Sequence, residues 1–255
     1  MLRGAAIVVT GGTAGIGRAC AEALLAAGAD AVLLNGRDGS RAERARSELQ
    51  ARFQDARVAI SLGDVSDAET AAAVMAEAKA EFGRIDVLVN SSGGNDVPKL
   101  LHETALVDIP GILQRCLFAQ ILCSRAALPI MHDAGGGTII NIASDAAKLP
   151  TPGESVIGAA MAGIVMFTRA LALEGKRDGI RANVLTPSLT SGTEHYARVM
   201  ADPFAGKMFA KAVHMAALGV VTKEDLAGLV VFLASPAAAK ITGQAISMTG
   251  GISAL

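Results

Sequence analysis

Two stretches of this 255-residue chain place chemically useful residues at useful spacings. The first is Thr10-Gly11-Gly12-Thr13-Ala14-Gly15-Ile16-Gly17, which follows a β-branched run and precedes an Ala-rich stretch. In that position the free N–H groups of a helix N-terminus meet a glycine-lined turn, an arrangement that holds a pyrophosphate. Gly11 permits the tight turn, Gly15 lets backbone approach phosphate, and Gly17 lets the helix pack close to the strands. Thr13 and Ile16 complete the candidate contacts. The second stretch begins at Ser144, just past the run Thr138–Ile142. Its hydroxyl can polarise a carbonyl oxygen or merely cap a turn. Asp145 and Lys148 lie beyond it, and Glu154 and Ser155 follow; Lys148 or Glu154 can carry a proton, though a solvated loop explains both as well.

Other reactive side chains stand alone. His102 has a ring that titrates near neutrality but shows no sequence partner, and His195 and Tyr196, the single tyrosine, fall in an irregular later stretch. Cys20, Cys116 and Cys123 make an odd number without metal-ligand spacing, so neither a disulfide framework nor a metal site is expected. A thiol at an apolar helix position such as Cys116 is expected to be inert.

These residues need a scaffold, and the pattern supplies one. Short runs at Ala5–Thr10, Ala31–Asn35, Val58–Leu62, Asp86–Asn90, Thr138–Ile142, Arg181–Leu185 and Gln244–Met248 read as strands. Helical stretches lie near 16–28, 38–53, 67–82, 104–132, 154–176, 194–215 and 222–235. Alternation of this kind predicts an α/β fold: a doubly wound parallel sheet of about seven strands with helices on both faces, in a single domain over 1–255. The mixed charges of 38–53 read as a solvated helix face, not a nucleic-acid patch. The irregular stretch 189–220 is expected to be a substrate lid. With 51% apolar residues and a net charge of −1, nucleic acid is not an expected partner. Apolar runs of four to six residues argue against a membrane span, and the β-like opening at Ala5–Val9, without a leader pattern, sets a cytoplasmic expectation.

Further motifs follow the strands in order: Asp64-Val65, Asn90-Ser91-Ser92-Gly93, Ala126-Ala127-Leu128-Pro129, Arg181-Ala182-Asn183-Val184, Ile241-Thr242-Gly243-Gln244 and Gly250-Gly251. With the Gly-x-x-x-Gly-x-Gly turn they resemble the short-chain dehydrogenase/reductase family over nearly the whole chain. The resemblance implies an NAD(P) cofactor. It implies that Asp64 and Val65 meet the adenine, that Asn90 and Gly93 border the cofactor, and that Pro187 and Thr190 lie at the nicotinamide. Asn35-Gly36-Arg37 ends the second strand, where an NAD-selective relative carries Asp at the Gly36 position. Arg37 beside that missing carboxylate favours a 2′-phosphate, so NADP(H) is the expected cofactor and NAD(H) the second choice.

The same resemblance implies a Ser, Tyr, Lys and Asn proton relay, and here the chain departs from it. Ser144 occupies the Ser position, but Ile157 stands where Tyr is expected, Met161 where Lys is expected and Cys116 where Asn is expected. Gly158-Ala159-Ala160 and Ala162-Gly163-Ile164 hold the frame, so no shift restores the motif. Ser188 replaces the glycine that usually follows Pro187. The implied function is an atypical oxidoreductase moving hydride to or from a small carbonyl or alcohol; the alternative is a catalytically silent nucleotide-binding sensor, scaffold or subunit. The resemblance also implies a homotetramer or homodimer.

Overall fold

A computed structural model describes residues 2–93 and 96–254. Among the described residues, seven strands form one parallel sheet: β1 (Ala6–Thr10), β2 (Ala31–Gly36), β3 (Arg57–Leu62), β4 (Val87–Asn90), β5 (Gly137–Ile142), β6 (Ile180–Pro187) and β9 (Ala245–Met248). They lie in the order β3-β2-β1-β4-β5-β6-β9, so the direction of winding reverses between β1 and β4. Val8 pairs with Leu33 on one side and Leu88 on the other.

Burial of both strand faces explains the continuous apolar runs. Ile7, Val9, Val32 and Leu34 point to one side, where they pack with Leu24 of α1 (Gly15–Ala26) and with Leu226 and Val230 of α9 (Lys223–Ala234). Val8, Leu33, Leu88 and Ile139 point to the other, against Met75 of α3 (Ala68–Phe82) and Ala127 and Met131 of α5 (Ala119–Asp133). Alternate residues of one strand therefore feed two separate cores, as a pleated chain requires. Helix starts follow local chemistry. Asp38 accepts from the Arg41 N–H at 3.0 Å to open α2 (Gly39–Arg52), and Asp67 accepts from the Thr70 N–H at 2.9 Å to open α3.

The helix expected at 104–132 is instead a composite. Single helical turns precede a short α4 (Ile109–Leu113), a π-helical turn spans Gln114–Phe118, and α5 follows. The stretch 194–215 is also two helices, α7 (Glu194–Ala201) and α8 (Pro203–Met215). The break has a local cause: the Asp202 side chain accepts from the Phe204 and Ala205 N–H groups at 2.9 and 2.8 Å, and Pro203 takes the first helical position. A second, two-stranded parallel sheet pairs β7 (Thr190–Ser191) with β8 (Val221–Thr222), closing the base of the segment 189–220. Strands this short carry too little periodicity to read from sequence.

Run length also understated the apolarity of two helices. Among the described residues, Leu106–Asp133 and Ser155–Asp178 reach a mean hydropathy of 1.4 and 1.9 over 18 residues, long and apolar enough to cross a bilayer by composition alone. Isolated polar residues interrupt a run without lowering its average much. Both segments pack on the sheet, through Ala127 and Met131 in one and Leu171 and Ala172 of α6 (Ser155–Gly175) in the other, so they serve as layers of the α/β fold.

Leu88, fully buried at the sheet centre, is the position where packing is most exposed to test. Leu88→Ala is expected to destabilise the fold by about 2–5 kcal/mol, read as a lower denaturant midpoint.

Candidate active site

The C-terminal ends of β1, β2, β4, β5 and β6 converge on a cavity of about 780 Å³. Parallel strands bring their following loops to one edge, and the reversal between β1 and β4 leaves a crevice there. Gly11, Thr13, Gly15, Ile16 and Gly17 line it after β1, Asn35 within the end of β2 and Arg37 after it, Asp64 and Val65 after β3, Gly93 after β4, Ser144 after β5, and Pro187 at the end of β6 with Thr190 after it.

The β1–α1 turn is tightly closed. A Cβ on Gly17 would lie 2.4 Å from the Gly11 carbonyl oxygen, and one on Gly11 would lie 2.7 Å from the Ser91 carbonyl oxygen. No described side chain caps α1, and its first turn carries no acidic residue. The N-terminal N–H groups are thus left to an anion in the cavity. Thr10 Oγ1 accepts from the Ser91 and Ser92 N–H groups, both at 3.2 Å, and so locks the turn to the loop after β4.

At the other end of the cavity wall, the Asn35 amide donates to the Ser61 and Gly63 carbonyls at 3.2 Å, holding β2 against β3. Gly36 lies under Thr13, whose Cγ2 would be 2.6 Å from an added Cβ. Any carboxylate side chain at that position would first have to displace Thr13. Arg37 pairs with Asp64 at 3.3 Å, with side chains 60% and 46% exposed, a contact that a ligand anion can replace. Arg41 also lines this end.

Asn90, expected to border the cofactor, lies behind the wall instead. It is fully buried, and its amide donates to Ser124 Oγ at 3.0 Å and to Asn141 Oδ1 at 2.9 Å. Asn141 in turn donates to Thr168 Oγ1 at 2.8 Å, so a buried polar chain ties β4 and β5 to α5 and α6.

Ser144 both lines the cavity and, through its hydroxyl oxygen, accepts from the Ala146 N–H at 3.2 Å as a turn cap. Asp145 is almost fully buried. Its carboxylate accepts from Ser253 Oγ at 2.6 Å and pairs with Lys148 Nζ at 3.4 Å, pinning the C-terminal segment beside Ser144. Lys148 also donates to Ser247 Oγ and is not among the cavity-lining residues. Ile157, Met161 and Cys116 all border the cavity, the first two making its wall apolar. Glu154 lines it as well, and burial pushes its carboxyl up to about 6, with the negative charge of Asp145 acting the same way against a Thr151 hydrogen bond.

His195 and Tyr196 of α7 line the cavity opposite. Burial, then the nearby Arg198, lowers the His195 pKa. His102 stays exposed in the turn Leu101–Glu103 and is not among the lining residues. Sequence reasoning passed over Asp96 and Arg115, which meet at 2.7 Å on the cavity wall. The Asp96 carboxylate raises the Arg115 pKa further. The available signal was Arg115 itself, a cation flanked by the apolar runs Ile112–Leu113 and Cys116–Ala119 and placed in the π-helical turn.

Comparison with known proteins agrees with this geometry. The family model for short chain dehydrogenases matches residues 5–203. The chain belongs to the short-chain dehydrogenase family. It is similar to 2,3-dihydroxy-2,3-dihydro-p-cumate dehydrogenase of Pseudomonas putida, 34% identical over 98% of this chain and 95% of that protein. It is likewise similar to D-beta-hydroxybutyrate dehydrogenase of Cupriavidus necator, 34% identical over 98% of each. Among solved structures, levodione reductase superposes with a TM-score of 0.92 at 25% identity, covering 98% of both chains. A dehydrogenase/reductase from Sinorhizobium meliloti 1021 superposes at 0.88 with 31% identity, covering 99% of this chain and 96% of that one.

Closure of the glycine turn makes it intolerant of a methyl group. Gly17→Ala is expected to cost about 1–3 kcal/mol through forced backbone movement. The thermal midpoint should fall by several degrees and calorimetric binding of nicotinamide dinucleotides should disappear. An unchanged midpoint with intact binding would contradict the close approach.

Proposed function

We propose that this short-chain dehydrogenase is an atypical NAD(P)-dependent oxidoreductase that moves hydride to or from a small carbonyl or alcohol substrate, with NADP(H) preferred over NAD(H). The supporting observation is one continuous cavity that begins at the uncapped N-terminus of α1, passes Ser144 and ends between Ile157, Met161 and the α7–α8 segment. Gly11, Gly15 and Gly17 would hold the pyrophosphate, Asp64 and Val65 the adenine, and Pro187 and Thr190 the nicotinamide end. The bound nicotinamide supplies or accepts the hydride. Ser144 offers its hydroxyl to the substrate oxygen, where negative charge develops on reduction. Residues 189–220 act as the lid, their Met208 and Phe209 giving the substrate end an apolar cover.

Support for NADP(H) comes from Gly36, which bears no carboxylate to repel a 2′-phosphate, and from Arg37 and Arg41 beside it. Ile157 and Met161 neither donate a proton nor carry charge, so the proton route differs from the Tyr and Lys route that the family resemblance implies. Assembly as a homodimer or homotetramer is supported by Phe118, Met166 and Leu173, large apolar residues exposed on the stretches Leu106–Asp133 and Ser155–Asp178.

Calorimetry with NADPH and NADH, followed by a carbonyl-substrate screen, tests this reading. Binding of neither cofactor would overturn it. Binding without turnover would make the protein a silent nucleotide-binding member. Arg37→Ala is expected to weaken NADPH binding about 10-fold, by removing a charge-assisted contact, while leaving NADH within about 2-fold.

A further inference from the structure

We propose that Glu154 is the group that exchanges a proton with the substrate oxygen at this site. The inference rests on the oxidoreductase reading above and names the proton route that reading leaves open. Glu154 stands at the N-cap position of α6 without a side-chain cap bond, and it lines the same cavity as Ser144. On a helix, positions three and seven residues on share its face, and these are Ile157 and Met161. The carboxyl therefore sits one turn above the position where the family resemblance places Tyr. Its backbone is firmly held. Gly153 is buried at φ +85°, its carbonyl accepts from the Lys99 N–H at 2.8 Å, and a Cβ there would lie 2.9 Å from the Phe204 ring.

The apolar substitutions and the carboxyl form a consistent pair. Ile157 and Met161 are apolar where they meet this part of the wall, and burial there favours the protonated acid against a hydrogen bond with Thr151. Asp145, on the turn after β5, is the charge that acts on it, and the charged groups that line the same cavity from the facing elements include the mutually paired Asp96 and Arg115, His195 on α7 and Lys211 on α8. A carboxyl that titrates about 6 holds enough of both forms near neutrality to act as acid and base. In reduction, hydride joins the carbonyl carbon and the C=O π pair moves to oxygen. The Glu154 O–H bond breaks as its proton joins that oxygen, and the carboxylate left behind regains a proton from water. Oxidation runs the same steps in reverse, the carboxylate taking the alcohol proton.

Titration of protein labelled with carboxyl-¹³C glutamate, with the Glu154 signal assigned by its loss in Glu154→Gln, reads the group without turnover. The signal should titrate about 6; titration in the ordinary glutamate range would overturn the proposal, and Glu154→Asp, which also removes the labelled signal, gives the assignment if Glu154→Gln fails to fold. Turnover of NADPH with phenanthrenequinone and cyclohexanone gives the second arm. Glu154→Gln should lower kcat by about 10²–10⁴-fold with little change in KM. The wild-type loss of reduction rate above its pKa should vanish in the variant, and Glu154→Asp should restore part of kcat. Turnover within about 3-fold of wild type with the pH limb retained would overturn the role of Glu154 alone. A wild type that binds NADPH but reduces neither compound would overturn this role and the oxidoreductase reading together.

Discussion

Closure of the β1–α1 turn is the contact on which the cavity depends. With the Gly11 carbonyl only 2.4 Å from where a Gly17 side chain would begin, helix α1 starts directly over the end of β1. Its uncapped N–H groups then point into the crevice created by the reversal of strand order. A larger residue at either glycine would push α1 outward and move the dipole end away from the ligand. The lock through Thr10 Oγ1 extends this constraint to the loop after β4, so the two strands flanking the crevice cannot shift independently.

Beneath the cavity floor the sheet is joined to its helices by polar contacts as well as apolar packing. Asn90, Asn141, Ser124 and Thr168 are all buried and bonded in series. Such groups are costly to bury unless paired, and when paired they admit few alternative arrangements. The chain sets the register of β4 and β5 against α5 and α6, and thereby the positions of Ser92, Ser144 and Ile157 around one opening. Gln120 contributes by donating to the Ile142 carbonyl at 2.8 Å just before Ser144.

Where Ile157, Met161 and Glu154 line the cavity, an apolar wall and a partly buried carboxyl occur together. Ile157 and Met161 would be poor choices in a site that depended on charge at their positions. Beside Glu154 they lower the local polarity, which is what raises a carboxyl toward neutrality. Asp145 is treated differently by the same fold: Lys148 and Ser253 neutralise and bond it, and it anchors the C-terminal segment. Two acidic residues nine positions apart thus take different parts because Asp145 is paired with Lys148, while Glu154 is half-buried and feels the like charge of Asp145.

The sheet, the closed glycine turn and most of the cavity wall were legible from the order of residues, because glycine spacing and buried-strand runs are local patterns with local physical causes. Ser144 was legible for the same reason. Asn90 was misplaced because a motif after a strand does not say which way its side chain points, and here the pleat turns it inward to Asn141. The division of 194–215 was written in Asp202-Pro203, a cap and a helix-starting proline. Tertiary structure alone decided that Arg115, within the π-helical turn Gln114–Phe118, would reach the wall and meet Asp96. It alone decided that Glu154 and not Lys148 or His102 would line the cavity. Proximity between residues distant in sequence, and the burial that shifts a carboxyl, exist only once α6 has packed against the sheet.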